Sequence, residues 1–419
     1  MVPFRDHIAM NMPEYVRQAL AMLEDAGFEA FAVGGCVRDS ILGRTPNDWD
    51  ICTAALPEET GAVFAGYRTI DTGMKHGTCT VLMDGESLEI TTYRIDGIYS
   101  DGRHPDRVWF SRDLREDLAR RDFTVNAMAV DRKGRLVDPF GGRADLAAQL
   151  IRAVGKPEDR FREDALRIIR ALRFAAVLGF QIEEETADAV RSMAALCRGT
   201  SRERIFIELT KLLMGDSAAA VLTEYRGSMC SCLGMEIAEP ERLGLLRRAP
   251  RDLPLRCGIF FGPGAGRVRN GLKELKADNE LIRAAEKAAE LSEDPAIRGV
   301  LENDAARMRL LRDHGPEDLC RGIRLRSLLS ESQSEIDDRI ESNRVSADEW
   351  ENGCRAVERI LERKDACWNR SQLAVNGGDI LRTGVPRGPE VGRILDGLLE
   401  DVISGRVPND RERLLRRIR

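Results

Sequence analysis

The chain has 419 residues, 64 basic against 70 acidic side chains, a net charge of −6 at pH 7, and 43% hydrophobic with 32% charged residues. That balance describes a globular chain with ample core and, at roughly 100–200 residues per domain, about two to four domains. No run approaches the roughly 20 apolar residues of a membrane span, and the charged N-terminal stretch lacks the apolar stretch of a signal peptide, so membrane and secreted classes are disfavoured and a cytoplasmic location is expected.

Taken in chain order, residues 14–27 place Tyr15, Val16, Ala19, Leu20 and Leu23 at helical spacing and stop at Gly27, predicting an amphipathic helix. Phe28 to Val33 alternates as a strand and runs into Gly34-Gly35. Val37 to Leu42 reads as a helix closed by Gly43, and Asp48 to Cys52 as a second strand. Cys79 to Met83 and Ser87 to Tyr93 predict a hairpin turned by Asp84-Gly85. Beyond about residue 145 helical patterns take over, at 145–153, 162–178, 183–196, 203–214 and several places between 270 and 365. The stretch 250–270, rich in Gly, Pro and Arg, reads as a connection within this helical part. The expected fold class is therefore α/β (α+β): an N-terminal head with a small mixed sheet, followed by all-α segments.

The ten cysteines contain no Cys-x-x-Cys and the four histidines give no zinc-ligand spacing, so the thiols read as buried structural residues of a reducing compartment. Arginine accounts for 56 of the 64 basic residues. Arginine suits bidentate phosphate recognition, although a GC-rich genome produces the same bias.

Asp48 and Asp50 stand two apart in a predicted strand, so both carboxylates project to one face. Adjacent carboxylates repel unless a cation sits between them, and Mg²⁺ is the natural oxygen-seeking occupant. An isolated Asp-x-Asp is usually solvated surface charge. Here a strand, a double glycine and a helix start precede it, with Gly35 able to bring backbone N–H groups close to a phosphate and Arg38 on the first helical turn. Glu89, on the strand SLEITTYR, is the candidate third carboxylate, and its bland alternative is an edge-strand glutamate facing water. Three carboxylates on adjacent strands can hold two Mg²⁺ ions for in-line phosphoryl chemistry. No Walker lysine motif and no kinase signature set is present.

The runs GGCVRDSILGRTPNDWDICT, LEITTYR, RRDFTVNAMAVD and EDALRIIRALRFA, in that order across residues 34–176, are similar to the class II nucleotidyltransferases of the polymerase β superfamily, a family of bacterial CCA-adding tRNA nucleotidyltransferases and poly(A) polymerases. The elements VNGGDIL and VPND of the last 50 residues resemble the C-terminal domain of the Bacillus-type members. The resemblance implies a nucleotidyltransferase head at 1–145, a helical neck at 146–214 with a base-selecting helix, a helical body at 215–330 and a tRNA-binding tail at 331–419. It implies that Asp48, Asp50 and Glu89 are the catalytic metal ligands for Mg²⁺ and that Gly35 and Arg38 contact the triphosphate. Arg121 and Asp122 would meet nucleotide and ribose.

Asp164, Arg167, Arg170 and Arg173 follow at three-residue spacing, which on a helix winds slowly around one side. Such a run is usually a solvated charge face. The resemblance makes it a protein template, with Asp164 accepting from the exocyclic amino group shared by cytosine and adenine and Arg167 donating to ring acceptors. The implied reaction is template-independent addition of CCA to the 3′ end of tRNA from CTP and ATP, with release of pyrophosphate. An A-adding enzyme or, further off, a poly(A) polymerase are the alternatives, and a catalytically dead RNA-binding protein is disfavoured by the intact carboxylates. Residues 94–108 correspond to the loop that such enzymes use to switch from CTP to ATP. Arginines 247, 248, 251, 256, 267 and 269 and the basic end at 411–419 are candidate tRNA contacts, and the oligomeric state is left open.

Overall fold

The computed structural model describes residues 6–8, 10–70, 77–96, 108–334 and 345–418. Two compact units divide the chain, Met1–Met235 and Glu236–Arg419. The first carries the sheets: β1 (Asp6–His7), β2 (Ala30–Val33), β3 (Asp50–Thr53), β4 (Arg68–Ile70), β5 (Thr78–Met83), β6 (Glu86–Thr92), β7 (Arg94–Asp96), β8 (Val108–Phe110), β9 (Ala129–Val130), β10 (Arg135–Val137), β11 (Leu150–Ile151) and β12 (Gln181–Ile182). Eight of them form one mixed sheet in the order β1-β10-β9-β2-β3-β6-β5-β4, in which β3 and β6 are parallel and every other pair is antiparallel. The expected mixed head sheet is thus present, and Glu89 lies on an interior strand rather than an edge.

The local chemistry accounts for these elements. Asp84 and Gly85 both take positive φ, 53° and 84°, the two-residue turn whose twist matches the strands it joins. Helix Glu14–Asp25 buries Val16, Ala19, Leu20 and Leu23 beside β2, and β2 itself is buried along its whole length. Beyond the sheet the first unit is helical, with helices Pro157–Glu163, Leu166–Leu178, Glu184–Met193 and Arg202–Leu213. Helix Leu166–Leu178 ends at Gly179, whose φ of 76° supplies the left-handed cap. The sequence reading expected one helix over 162–178. The structure breaks it at Asp164, whose extended backbone (φ −141°, ψ 104°) ends the first helix and whose side chain accepts from the Leu166 N–H. The helix expected at 145–153 is likewise shorter, Gly142–Ala148, because Gln149 turns left-handed and the chain enters β11.

Among the described residues the second unit contains helices and no strand. Apolar clusters gather around Trp350, Leu311 and Ile323, and around Ile380, Leu399 and Leu414. The stretch read as a connection at 250–270 contains two helices, Leu253–Phe261 and Ala265–Glu274, parted by Gly262 and Gly264, both at φ 92°. Among the described residues no helix is long and apolar enough to cross a membrane.

Candidate active site

Trp49 turns inward, 5% exposed, which leaves Asp48 and Asp50 on the outer side of the chain as it enters β3. Asp48 precedes the strand rather than belonging to it, a correction to the sequence reading, but the alternation still sets the two carboxylates on one side. Parallel pairing of β3 with β6 puts Asp50 directly opposite Glu89, and neighbouring strands lie only about 4.8 Å apart. Protein atoms crowd Asp50 although it keeps a solvent-facing surface, and this desolvation pushes its carboxyl up to about 6; Arg121 opposes the shift, while Glu89 and Asp48 add to it. Three hard-oxygen ligands whose mutual repulsion already raises one of them form a donor set that fits a divalent cation such as Mg²⁺.

A cleft of about 590 Å³ opens beside these residues, within the range of small-molecule sites. Gly35, Arg38, Asp48, Asp50 and Arg173 line it together, so five of the residues singled out in the sequence share one wall space. Gly35 begins helix Gly35–Ile41, and Gly34 before it sits at φ 83° with Arg121 packed so close that a Cβ there would lie 3.0 Å from Nη1. Arg121 is held in turn by Asp117, buried, at 3.2 Å. Arg38 chelates Asp39 at 2.8 and 3.0 Å and donates to Asn126 Oδ1 at 2.6 Å.

Behind the cleft wall runs a continuous polar chain. Asn126 donates to Asp122 Oδ1 at 3.1 Å; Arg170 donates twice to Asp122 Oδ2, at 2.9 and 2.5 Å; Arg170 and Arg173 both approach Glu208, at 3.6 and 2.7 Å. The Arg173–Glu208 contact is an ion pair too oblique to be a hydrogen bond. Burial alone would raise the Asp122 carboxyl, but Arg170 outweighs it and holds the group far below the usual carboxylate range. Arg173 also stacks over Phe174, 3.7 Å from the ring centroid.

The remaining pair is placed differently from expectation. Asp164 lies in the break between two helices, and its Oδ2 accepts from Arg204 at 2.7 Å. The winding stripe therefore reduces to Arg167, Arg170 and Arg173 on helix Leu166–Leu178. Arg167, 8% exposed, donates to Glu163 Oε2 at 2.7 Å, to the Arg120 carbonyl at 2.8 Å and to the Arg160 carbonyl at 3.3 Å. These bonds engage three of its five N–H groups. Glu89, Arg121, Asp122, Asp164, Arg167 and Arg170 are not among the residues lining the cleft itself.

Sequence reasoning missed Asn126, Glu208, Arg44 and Lys211. The last two line the cleft, and Lys211 is four helix positions, or more simply one turn, past Ile207 on a helix with no motif of its own. Asn126 was visible inside RRDFTVN, whereas Glu208 carries no local signal because its partners lie on another helix. One of the arginines offered as tRNA contacts is structural: Arg256, 4% exposed, donates to the carbonyls of Pro250 and Ala249 at 2.8 and 2.7 Å, whereas Arg267 is exposed and donates to that of Glu236 at 3.0 Å. Most of the loop 94–108 lies outside the described residues, which resume at Val108 in β8, paired with β7.

Comparison with known proteins agrees along the whole length. A family model described as the poly A polymerase head domain matches residues 30–152, one for the RNA and SrmB-binding site of polymerase A matches 179–227, and one for tRNA nucleotidyltransferase domain 2 matches 264–418. The CCA-adding enzyme of Limosilactobacillus fermentum is 37% identical over 96% of both chains, and that of Streptococcus sanguinis 36% over 96% of both. The crystal structure of the Bacillus stearothermophilus CCA-adding enzyme in complex with CTP is 31% identical, covers 97% of each chain and superposes with a TM-score of 0.73.

Proposed function

We propose that this chain, which belongs to the CCA-adding enzymes, transfers nucleotides at the carboxylate group formed by Asp48, Asp50 and Glu89. The protein is a tRNA nucleotidyltransferase whose substrates are tRNA, CTP and ATP, and whose product is the terminal CCA. The single observation that carries the site is the in-register pairing of Asp50 with Glu89, with Asp48 and Asp50 opening onto the same cleft as Arg38 and Arg173.

Asp48, Asp50 and Glu89 would hold the divalent ion, Mg²⁺ in our reading, which when bound supplies Lewis-acid activation of the attacking hydroxyl and neutralises charge on the departing pyrophosphate. The protein's own groups do the positioning. Arg38, Arg173 and Lys211 line the cleft as cations for the triphosphate, with the backbone at Gly35 free of a side chain so that phosphate can approach. Arg121, wedged against Gly34 and tied to Asp117, presents its guanidinium beside that approach. Asp122, kept ionised by Arg170, already accepts from Phe123 N–H, Asn126 and Arg170, so it would meet a ribose hydroxyl only in exchange for one of these bonds. Asp164 and Arg167 would supply the acceptor and the donor that read the edge common to C and A. Attack by the tRNA 3′-hydroxyl on the α-phosphorus forms the new phosphodiester and breaks the bond to pyrophosphate.

We read 1–145 as the catalytic head, 146–214 as the neck carrying base selection, 215–330 as the body and 331–419 as the tRNA-binding tail. A cytoplasmic location follows from tRNA as the substrate. The site is tested by Asp50→Ala, which should abolish incorporation of both C and A while tRNA retention on a filter stays within about twofold. If C addition survives, the carboxylate assignment is wrong.

A further inference from the structure

Helices Pro316–Ser334 and Ala347–Glu362 pack side by side in the second unit and share the core around Trp350. Each presents two polar side chains four positions apart, hence on one helix face: Cys320 and Arg324 on the first, Cys354 and Glu358 on the second. The two faces meet. Arg324 Nη2 donates to Glu358 Oε1 at 2.6 Å, and Cys354 Sγ lies 3.8 Å from the same oxygen. Both sulfurs and the Glu358 oxygen lie within 4.8 Å of one another. With zinc–sulfur bonds of about 2.3 Å and zinc–oxygen bonds of about 2.1 Å, the edges of a tetrahedral site are about 3.5–3.8 Å. The Cys354–Glu358 edge already has that length, and the third ligand needs to close by no more than about an ångström. A cavity of about 290 Å³ reaches Cys354 and Glu358, though not Cys320, and leaves room for a water; Arg248, Arg324 and Arg355 line it beside Glu351, so an entering ion passes three guanidinium groups.

We propose that Cys320, Cys354 and Glu358 form a binding site for a thiophilic divalent cation of the zinc type, with the fourth position left to water. The site clamps the two helices together, far in sequence from the catalytic carboxylates. Arg324 is its competing cation, since it holds the one carboxylate that the ion needs. The spacing along the chain hides this group because each helix supplies a single cysteine.

Cobalt(II) tests it, because thiolate ligands give it charge-transfer absorption in the near ultraviolet. Full-length protein under a non-thiol reductant should bind one equivalent of Co²⁺ with that absorption, and Zn²⁺ should displace it. Cys320→Ser with Cys354→Ser should remove the band. Glu358→Gln should keep the band and weaken binding, whereas Arg324→Gln should tighten it by releasing Glu358. No band in the unmodified protein, a band that persists without the two cysteines, or unaltered affinity in Arg324→Gln would each overturn the proposal. The two single variants keep it testable should the double serine variant fail to fold.

Discussion

Asp122 links the stability of the first unit to the proposed chemistry. It is buried, it accepts from Phe123 N–H, Asn126 and Arg170, and its charge is sustained mainly by Arg170. Removing one partner of a buried pair strands the other, at a cost of about 3–5 kcal/mol. Asp122→Ala should therefore lose that much in a urea titration at pH 7, together with nucleotide addition. The sign of its pH dependence is fixed by the depressed carboxyl: its stabilisation is complete above the unfolded value of about 4 and is lost as pH falls below it toward the folded value. The unmodified protein should lose stability more steeply below pH 4 than Asp122→Asn does; parallel pH curves would refute the pairing. Lys211 makes a separate prediction. As a cation on the cleft wall, it should act on the triphosphate whichever base is carried. Lys211→Ala should raise KM for CTP and ATP alike, by about tenfold or 1.4 kcal/mol, and equal KM values in both proteins would remove it from the site.

At the scale of elements, the C-terminal motifs are explained by the bonds they close. Asn376 caps helix Gly377–Arg382 in a reciprocal box with Asp379, which also accepts from Arg382 and Arg411. Asn409 of VPND accepts from Ala374 N–H and donates to the Gln372 carbonyl, both at 2.8 Å, so it pins the segment just before that helix. Asp410 next to it caps helix Arg411–Arg416. VNGGDIL and VPND are thus two halves of one fastening. Asn409→Ala breaks two hydrogen bonds and should cost the second unit about 1–3 kcal/mol, read as a lower Tm with nucleotide binding unaltered. Elements also show what one-dimensional patterns conceal. The Asp84-Gly85 turn and the helix at 14–25 are legible because their signals are local. The break at Asp164 is not, because a charged residue inside a helical pattern carries no mark of the Arg204 contact that holds it outside the helix.

At the scale of the whole molecule, Asp48, Asp50 and Glu89, the proposed metal ligands, were readable together with Gly35 and Arg38 because motif order and strand alternation together constrain them. The register that sets Asp50 against Glu89 is a pairing between strands and has no expression in either segment alone. The same holds for the chain from Arg38 through Asn126, Asp122 and Arg170 to Glu208, which joins the cleft wall at Arg38 to the helix proposed to select the base. Helices at 253–261 and 265–274 were obscured by the Gly-Pro-Gly that separates them. The most direct measurement uses purified protein, Mg²⁺ and tRNA transcripts ending before CCA, after C and after CC, each given CTP, ATP or both, with products resolved to one nucleotide. The account predicts CC from CTP alone and CCA from the two together, followed by arrest, and no extension by Asp50→Ala. Addition of A only to the CC-ended transcript, an extended A tract, or extension by Asp50→Ala would contradict it.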